Sequence, residues 1–310
     1  MAWFDGFDRQ SLNVQGLPVA FRQSSDWSAQ AHLPVLVLLH GFPQTHVMWQ
    51  RVAQLLRGRY RLVMPDLRGY GDSSHEMGDA EHAHYSKRAM AQEVIGLLDA
   101  LGVTDFYLCG HDRGGRVAHR LALDHASRVK KLCVIDIAPT LDMYARTDMD
   151  FARAYYHWFH LIQPAPLPEF MIAGNAQPYL HAKLGGWGSQ GLAYIESEAL
   201  AEYERCFGHP ALNANGQPAA IHSACEDYRA SAGIDLQHDR ESRAQGHKIA
   251  CDTLVLWGER GVVNRLFKPL ELWQAQCAGR VTGQAMPAGH FIPEEQPQAT
   301  SDALALFFSQ

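Results

Sequence analysis

The chain has 310 residues, 47% hydrophobic and 19% charged, and a formal net charge of −6. This length suits one large catalytic domain, or a core with an inserted piece. The negative charge, without any basic block, argues against a nucleic-acid partner, and no apolar run is long enough to span a bilayer. The stretch MAWFDGFDRQ lacks the apolar core of a signal peptide, and the six cysteines form no C-x-x-C pair. We therefore expect a cytoplasmic protein with reduced thiols.

Apolar runs without alternation predict parallel strands that are buried on both faces. In chain order they lie at residues 33–40, 61–66, 106–111, 131–137 and 252–258. Helix-like stretches separate them, such as residues 84–102, which end at Gly102 as a C-cap, and residues 298–310 predict a final helix. This alternation of strand and helix predicts an α/β fold.

The alternation stops after Asp136, and the segment that follows is rich in aromatic residues, punctuated by prolines and mostly helical in pattern. An excursion of this length between two core strands predicts an inserted cap. Such a cap would cover the C-terminal edge of the sheet, where α/β proteins bind their ligands. We predict a core made of residues 1–140 and 251–310, with one more strand and a final helix after the cap, and a helical cap made of residues 141–250.

The stretch LCGHDRGGR contains the pattern Gly-x-Asp-x-Gly, with Asp112 at its centre. A strand-like run precedes it and a helix-like run follows it. Gly110, Gly114 and Gly115 would relieve crowding at a sharp turn that raises the Asp112 side chain above the sheet. The alternative interpretation is a structural aspartate that caps the following helix. The context favours a nucleophile on a strand–turn–helix elbow.

A carboxylate at this elbow indicates displacement at a saturated carbon atom. A serine would form an ether there, which the enzyme could not hydrolyse, whereas Asp112 would form an ester. The segment HGF follows an earlier strand, so the amides of Phe42 and Arg113 are the predicted oxyanion hole for hydrolysis of that ester. The pattern favours cleavage of a carbon–halogen bond or of an epoxide C–O bond.

Hydrolysis of the ester requires a base, and His290 in MPAGHFIPEEQP lies just before the last predicted helix, where a histidine that comes last in the triad belongs. Two residues compete as its supporting acid. The run LWGERGVVN has Gly261 at the expected acid position and Glu259 two positions earlier, whereas VIDIAPT places Asp136 at the end of another strand. A carboxylate buried there needs a strong partner, which His290 would provide. We favour Asp136 and keep Glu259 as the alternative.

Two arginines follow the predicted nucleophile. Arg113 and Arg116 lie three positions apart at the start of a helix and therefore share a face. Either one alone could be a solvated surface residue. Together they could bind a substrate carboxylate and aim the adjacent carbon at Asp112. The predicted substrate is therefore a small 2-halo acid anion.

Over essentially its whole length the chain resembles the fluoroacetate and haloacetate dehalogenases of the α/β-hydrolase superfamily. The resemblance rests on HGFPQTHVMW, DLRGYGDS, GHDRGGR, VIDIAPT, YHWFHLIQPAPLPE, CEDYRA and GHFIPEEQP. It implies Asp112 as nucleophile, His290 as base, Asp136 as supporting acid, and Arg113 and Arg116 on the substrate carboxylate. It further implies an enzyme that uses no cofactor or metal and forms a homodimer.

The same resemblance places a halide pocket at His157, Trp158 and Tyr228. Their N–H and O–H groups are donors, and donors aimed at a departing halide would lower the barrier to its departure. Trp187, in LGGWGSQG, could form a wall of this pocket or simply pack.

Several weaker patterns complete the prediction. His46 and Trp49, after the HGFPQ loop, could line the floor of the cavity. The segment HEMGDAEHAH, residues 75–84, contains metal-ligand residue types, but its spacing matches no metal motif, and we interpret it as a solvated surface loop.

Two other functions are compatible with the sequence. An epoxide hydrolase would use the same nucleophile and base, with Tyr228 and either Tyr155 or Tyr156 as acids. A ligand receptor on a hydrolase scaffold would bind the halo acid without releasing halide. The complete set of nucleophile, base and acid candidates favours an enzyme.

Overall fold

The computed structural model describes residues 3–309, and a single eight-stranded sheet forms its centre. The order across the sheet is β1-β2-β4-β3-β5-β6-β7-β8; β1 and β2 pair antiparallel, as do β2 and β4, and all other pairs are parallel. The strands are β1 (Phe7–Val14), β2 (Leu17–Ser24), β3 (Val35–Leu39), β4 (Arg61–Pro65), β5 (Phe106–His111), β6 (Val129–Ile135), β7 (Asp252–Gly258) and β8 (Val281–Met286).

Helices flank the sheet and fill the segment between β6 and β7. Those outside that segment are α1 (Gln50–Leu56), α2 (Lys87–Ala100), α3 (Asp112–Asp124), α12 (Val262–Leu266), α13 (Pro269–Gln276), α14 (Ile292–Glu295) and α15 (Pro297–Ser309). Those within it are α4 (Thr140–Ala145), α5 (Met149–Ala154), α6 (Tyr156–Leu161), α7 (Leu167–Ala173), α8 (Ala176–Leu184), α9 (Ser197–Phe207), α10 (Ala219–Ala232) and α11 (Ile234–Ala244). Short 3-10 segments lie at His46–Trp49 and Ala83–Tyr85.

The five predicted apolar runs are strands β3 to β7, each within two residues of its predicted bounds. The prediction of one strand after the cap is wrong, since β8 follows β7, and the N-terminal hairpin of β1 and β2 was not foreseen. Strands β1 and β8 lie at the edges of the sheet and bury few side chains. An edge strand needs no continuous apolar run, so the pattern that finds central strands does not find these.

The helix predicted over residues 84–102 begins as α2 at Lys87, and Gly102 just beyond its end has a positive φ of 70°, as a C-cap glycine does. The final helix is α15; Gln310, at the end of its predicted range, lies outside the described residues. All six cysteines are free thiols, and five are buried. No helix within residues 3–309 has the length and apolar character needed to cross a membrane.

Helices α4 to α11 form the segment predicted to be the cap. Helix α10 is the most deeply buried of them, with residues 220–231 all buried. We retain the division into a core of residues 1–140 and 251–310 and a cap of residues 141–250 as a proposal.

The parallel strands all end on the same side of the sheet, so the segments that follow their carboxyl ends come together there. β5 is adjacent to both β3 and β6, so the loops that follow these three strands are neighbours. β7 pairs with β6 and β8, which places the loop after β8 at the same edge. Phe42, Asp136 and His290 lie on the segments that follow β3, β6 and β8, and Asp112 is the first residue of α3, directly after β5. The carboxyl ends of the strands are where α/β sheets bind ligands.

Candidate active site

Asp112 lies at a tight turn between β5 and α3. It has a positive φ of 44°, which is unusual for a residue with a side chain and signals a strained turn. A Cβ on Gly110 would overlap the carbonyl of Gly114, and one on Gly114 would overlap the carbonyl of His40. The glycines predicted at the elbow are therefore needed for close packing of the backbone.

The Asp112 carboxylate does not cap its own helix. Its Oδ2 accepts a hydrogen bond from the Phe42 amide at 3.0 Å, across 70 positions of sequence. A Cβ on Gly41 would lie 2.5 Å from the Asp112 Cβ, so only glycine lets this loop approach so closely. This geometry places the Phe42 amide where an oxyanion donor belongs. The Arg113 amide, as the second donor, stays a prediction.

His290 and Asp136 form a buried hydrogen-bonded pair. His290 Nδ1 lies 2.6 Å from Asp136 Oδ2, and Asp136 Oδ1 accepts a 2.9 Å hydrogen bond from the Gly258 amide. Of the two acids considered, Asp136 is the one in contact with His290, whereas Glu259 is exposed. The arrangement leaves His290 Nε2 as the ring nitrogen able to take a proton from water.

The charges of the site set the protonation states of these residues. Burial alone would raise the pKa of Asp112, but His290, Arg113 and Arg116 outweigh burial and lower it. Burial also disfavours the charged form of His290, yet the hydrogen bond and charge of Asp136 outweigh it and raise the pKa of His290. Burial raises the pKa of Asp136 against the hydrogen bond from His290. Asp112 is thus kept ionised, as a nucleophile must be.

The two predicted arginines have different surroundings. Arg116 donates to the carbonyl of Ala138 at 3.2 Å and to Thr140 Oγ1 at 2.9 Å. Arg113 forms a buried ion pair with Asp227, with Nη2 and Oδ1 separated by 2.7 Å. The sequence analysis did not single out Asp227, although it lies in the stretch CEDYRA. Both arginines are buried, which excludes the solvated-surface interpretation.

His157, Trp158 and Tyr228 lie together on α6 and α10, within the segment predicted to be the cap. All three are at most 2% exposed, and the Tyr228 ring lies 5.5 Å from that of His157 and 6.4 Å from that of Trp158. Burial holds the pKa of His157 well below its ordinary value, so this ring is neutral and carries one N–H donor. His157 Nδ1 has no hydrogen-bond partner within the described part of the chain.

A small cavity lies between these groups. Trp187 forms part of its wall, with its ring 4.7 Å from that of His157. Phe42, Arg113 and Tyr228 border the site but do not line this cavity. The lining residues are Asp112, Arg116, Asp136, Tyr155, His157, Trp158, Trp187 and His290.

His46 and Trp49 do not line the cavity, so their predicted placement on its floor is wrong. His46 Nδ1 lies 2.8 Å from Asp66 Oδ1, and the His46 amide donates to the same oxygen. Trp49 is fully buried in the core. Both residues belong to a short 3-10 segment whose side chains are all buried.

The segment of residues 75–84 is more than a solvated loop. His82 Nδ1 lies 2.7 Å from Glu226 Oε2 on α10, so the segment contacts the helical insertion. Within residues 3–309, no group of three or more histidine, cysteine or acidic side chains is arranged to hold a metal ion.

Comparison with known proteins agrees with this geometry. The family model for the alpha/beta hydrolase fold matches residues 34–297. A fluoroacetate dehalogenase from a Burkholderia species is 40% identical over 306 residues, which cover 99% of this chain and 95% of the relative. A soluble epoxide hydrolase from Corynebacterium sp. (strain C12) is 31% identical over 278 residues, 88% of this chain and 90% of the relative.

Solved structures show the same likeness. The crystal structure of a candidate α/β hydrolase from Nostoc sp PCC 7120 matches with a TM-score of 0.91 and 46% identity over 99% of both chains. The match therefore extends over nearly all of the chain, including the helical insertion. The chain is a hydrolase that belongs to the haloacetate dehalogenase family of the α/β-hydrolase superfamily.

Proposed function

We propose that this hydrolase converts a haloacetate, fluoroacetate included, to glycolate and halide through an ester of Asp112. The observation that carries the proposal is a carboxylate at the elbow, held ionised beside a His290–Asp136 pair. A carboxylate can be alkylated and then regenerated by hydrolysis. The similarity to a fluoroacetate dehalogenase supports the same chemistry.

In the first step, Asp112 attacks the carbon that carries the halogen. Asp112 Oδ2 is held by the Phe42 amide, so Oδ1 is the oxygen that forms the new bond. The electron pair of the carbon–halogen bond leaves with the halide. Arg116 lines the cavity and would hold the substrate carboxylate, which offsets its repulsion from Asp112.

In the second step, water hydrolyses the ester. His290 takes a proton from the water, and the hydroxide attacks Cγ of Asp112, while Asp136 stabilises the imidazolium. Negative charge develops on Oδ2, where the Phe42 amide stabilises it. The bond between Cγ and Oδ1 then breaks, and His290 returns its proton to the glycolate oxygen. Asp112 is left as a carboxylic acid and regains its charge by releasing a proton to the solvent. The sum is haloacetate plus water giving glycolate, halide and one proton.

Departure of the halide requires donors at its position. The neutral His157 ring and the Trp158 indole line the same cavity as Asp112, and Tyr228 belongs to the same cluster. Fluoride accepts hydrogen bonds more strongly than the larger halides, so these donors would help most with the strongest carbon–halogen bond.

Halide release from fluoro-, chloro- and bromoacetate, followed with ion-selective electrodes, tests the proposal. We expect release of one halide per glycolate from all three acids. Turnover of chloroacetate without any fluoride release from fluoroacetate would limit the activity to the weaker bonds. Binding of the acids without release of any halide would favour a receptor and contradict the proposal.

A second candidate function is epoxide hydrolysis, which uses the same nucleophile and base. One observation favours it: Tyr155 lines the cavity and could protonate an alkoxide together with Tyr228. Tyr156, the other predicted acid, is 49% exposed and lies beneath the Lys183 ammonium, so it is not placed to protonate an alkoxide in the cavity. Faster turnover of styrene oxide than of chloroacetate would establish the epoxide reaction as the main activity.

A further inference from the structure

Asp227 is the centre of a buried network beside the nucleophile. It lies on α10, is fully buried, and accepts hydrogen bonds from Arg113 Nε at 2.8 Å and Arg113 Nη2 at 2.7 Å. Lys87 Nζ and the hydroxyl of Tyr70 donate to the same carboxylate. A fourth charged residue, Asp235, accepts a 2.8 Å hydrogen bond from the Lys87 amide.

These contacts fix the Arg113 guanidinium on one edge and on one face. Nε and Nη2 bind Asp227, Nη2 also donates to Ser231 Oγ at 2.5 Å, and Cζ lies 4.2 Å from the ring centroid of Tyr228. Nη1 is buried and has no hydrogen-bond partner within residues 3–309. One donor nitrogen of Arg113 is therefore left for a ligand, in a fixed orientation.

The network also neutralises the charge of Arg113. Two cations, Arg113 and Lys87, are matched by two carboxylates, Asp227 and Asp235, so the formal charges of these four residues cancel. Burial would raise the pKa of Asp227, but Arg113 and Lys87 outweigh burial and lower it, which keeps the carboxylate ionised.

Arg116 also has a buried nitrogen, Nε, without a hydrogen-bond partner among residues 3–309, but it is not paired with a carboxylate. Its hydrogen-bond partners, the Ala138 carbonyl, Thr140 Oγ1 and Met143 Sδ, are all neutral. It lines the cavity, whereas Arg113 does not. Arg116, which has no carboxylate among its hydrogen-bond partners, is therefore the arginine that an anion in the cavity contacts, whereas Arg113 Nη1 is a buried, unpartnered donor at the border of the site.

We propose that Asp227 is a positioning residue that holds Arg113 as an oriented, charge-neutralised donor to the substrate carboxylate, while Arg116 supplies the attraction that binds it. This inference rests on the proposed function, since it assigns parts of the same site. Asp227 acts on the angle at which the substrate presents its halogen-bearing carbon to Asp112. If the reacting carbon is displaced, the rate of the chemical step falls more than the affinity for the substrate does.

Asp227→Asn tests whether positioning by Asp227 is separate from the attraction that Arg116 supplies, and Asp239→Asn is its matched control. Asp239 is a buried carboxylate on α11 that pairs with Arg120 at 2.7 Å. Arg120 lies on α3 two turns beyond Arg113, about 10 Å farther along the helix. Both substitutions remove a buried ion pair between α3 and the helical insertion, but only one of them touches Arg113.

Two quantities are measured for each variant: the rate of chloride release at saturating chloroacetate, and the Kd of acetate by calorimetry. We expect Asp227→Asn to slow chloride release about ten- to a hundredfold without weakening acetate binding, because the net positive charge of the site increases. Asp239→Asn should change neither quantity, although its melting temperature falls. Arg116→Gln should weaken acetate binding about tenfold or more.

The double substitution Asp227→Asn with Lys87→Met covers the case in which the single variant does not fold. It removes one anion and one cation, so the network stays neutral, and we expect wild-type acetate binding with slow chloride release. Chloride release at the wild-type rate, or acetate binding weakened as in Arg116→Gln, would overturn the inference. Absence of halide release from the wild-type enzyme would instead overturn the proposed function.

Discussion

Asp136 Oδ2 lies 2.6 Å from His290 Nδ1, and a Cβ on Gly261 would lie 3.2 Å from the other oxygen of the same carboxylate. Gly261 holds the position at which the sequence pattern led us to expect the supporting acid. The loops after β6 and β7 therefore reach the same point beside His290. Glycine at 261 leaves room for a carboxylate that comes from the other loop.

Asp136→Asn should move the acid limb of the pH profile of kcat to lower pH. The Asp136 carboxylate raises the pKa of His290, so its loss lowers that pKa, and the neutral base persists to lower pH. The rate at the plateau should fall about a hundredfold or more, because an amide cannot stabilise the imidazolium. Steady-state kinetics across pH measure both effects.

Glu259→Gln is the matched control for this prediction. Glu259 is exposed, so its substitution should leave both the plateau and the acid limb unchanged. A shift of the limb in Glu259→Gln, with none in Asp136→Asn, would reverse the assignment of the acid.

Trp158→Phe should reduce defluorination more than debromination. The substitution keeps an aromatic ring in the cavity wall but removes the indole N–H as a donor to halide. We expect the ratio of fluoride to bromide release to fall about tenfold or more, because fluoride needs the donors most. The measurement is halide release from each haloacetate at saturation.

Trp187→Phe provides the comparison, since Trp187 lines the same cavity but its Nε1 already donates to the Ala154 carbonyl at 3.2 Å. Its halide ratio should stay close to that of the wild type. Equal changes of the ratio in both variants would indicate that cavity shape, rather than the Trp158 donor, selects the halogen.

The fold should lose stability as the pH rises toward 8 because of Glu294. This carboxyl is buried against Gln44 and Tyr203, and burial raises its pKa from 4.5 to about 8. The folded state therefore keeps a proton that the unfolded state has already lost. The resulting stabilisation is complete below the ordinary pKa and disappears as the pH passes the raised pKa. A difference of one pKa unit between the folded and unfolded states corresponds to about 1.4 kcal/mol in the free energy of unfolding.

Glu294→Gln should flatten that pH dependence. The Gln44 Oε1 atom has no hydrogen-bond partner within the described residues and, after rotation of its amide, could accept from a protonated Glu294 or from a glutamine in its place. Urea unfolding between pH 5 and 9 tests this. A slope of stability against pH that is the same in the variant and the wild type would show that Glu294 is ionised in the folded state.

Gly114→Ala should destabilise the fold by about 1–3 kcal/mol and reduce turnover. A Cβ there would overlap the carbonyls of Leu39 and His40, which precede the loop that carries Phe42. Gly174→Ala is the control, because its Cβ would have no neighbour within 4 Å among the described residues. Urea unfolding should separate the two, and equal stability of both variants would contradict the packing of the elbow.

Asp112 and Asp136 could be predicted because they follow central strands, whereas His290, which follows the edge strand β8, was predicted from its Gly-His placement just before the last helix. Asp112, Asp136 and His290 each come shortly after a strand, and the ends of neighbouring parallel strands meet at one edge. The pairing of Arg113 with Asp227 could not be predicted in this way, because 114 positions separate the two residues and no shared periodicity links them. The placement of His46 failed for a similar reason, since its partner Asp66 is on another loop.

The edge strands show the same limit at the level of the fold. β3 buries all five of its side chains, and its entirely apolar sequence VLVLL predicts this burial. β8 buries only Met286, and its sequence VTGQAM resembles a loop until its neighbour β7 is known. Patterns of apolar residues predict strands that bury their side chains. They do not detect edge strands, which are held in the sheet mainly by backbone hydrogen bonds.

A single turnover in ¹⁸O-labelled water, with enzyme in excess over chloroacetate, tests the central claim that Asp112 attacks the substrate. Mass spectrometry then follows the label in the glycolate and in the peptide that contains Asp112. The account predicts unlabelled glycolate hydroxyl and one labelled oxygen in Asp112, because Oδ1 leaves with the product and water replaces it. Label in the glycolate of the first turnover, with none in the peptide, would show direct attack by water and contradict the account.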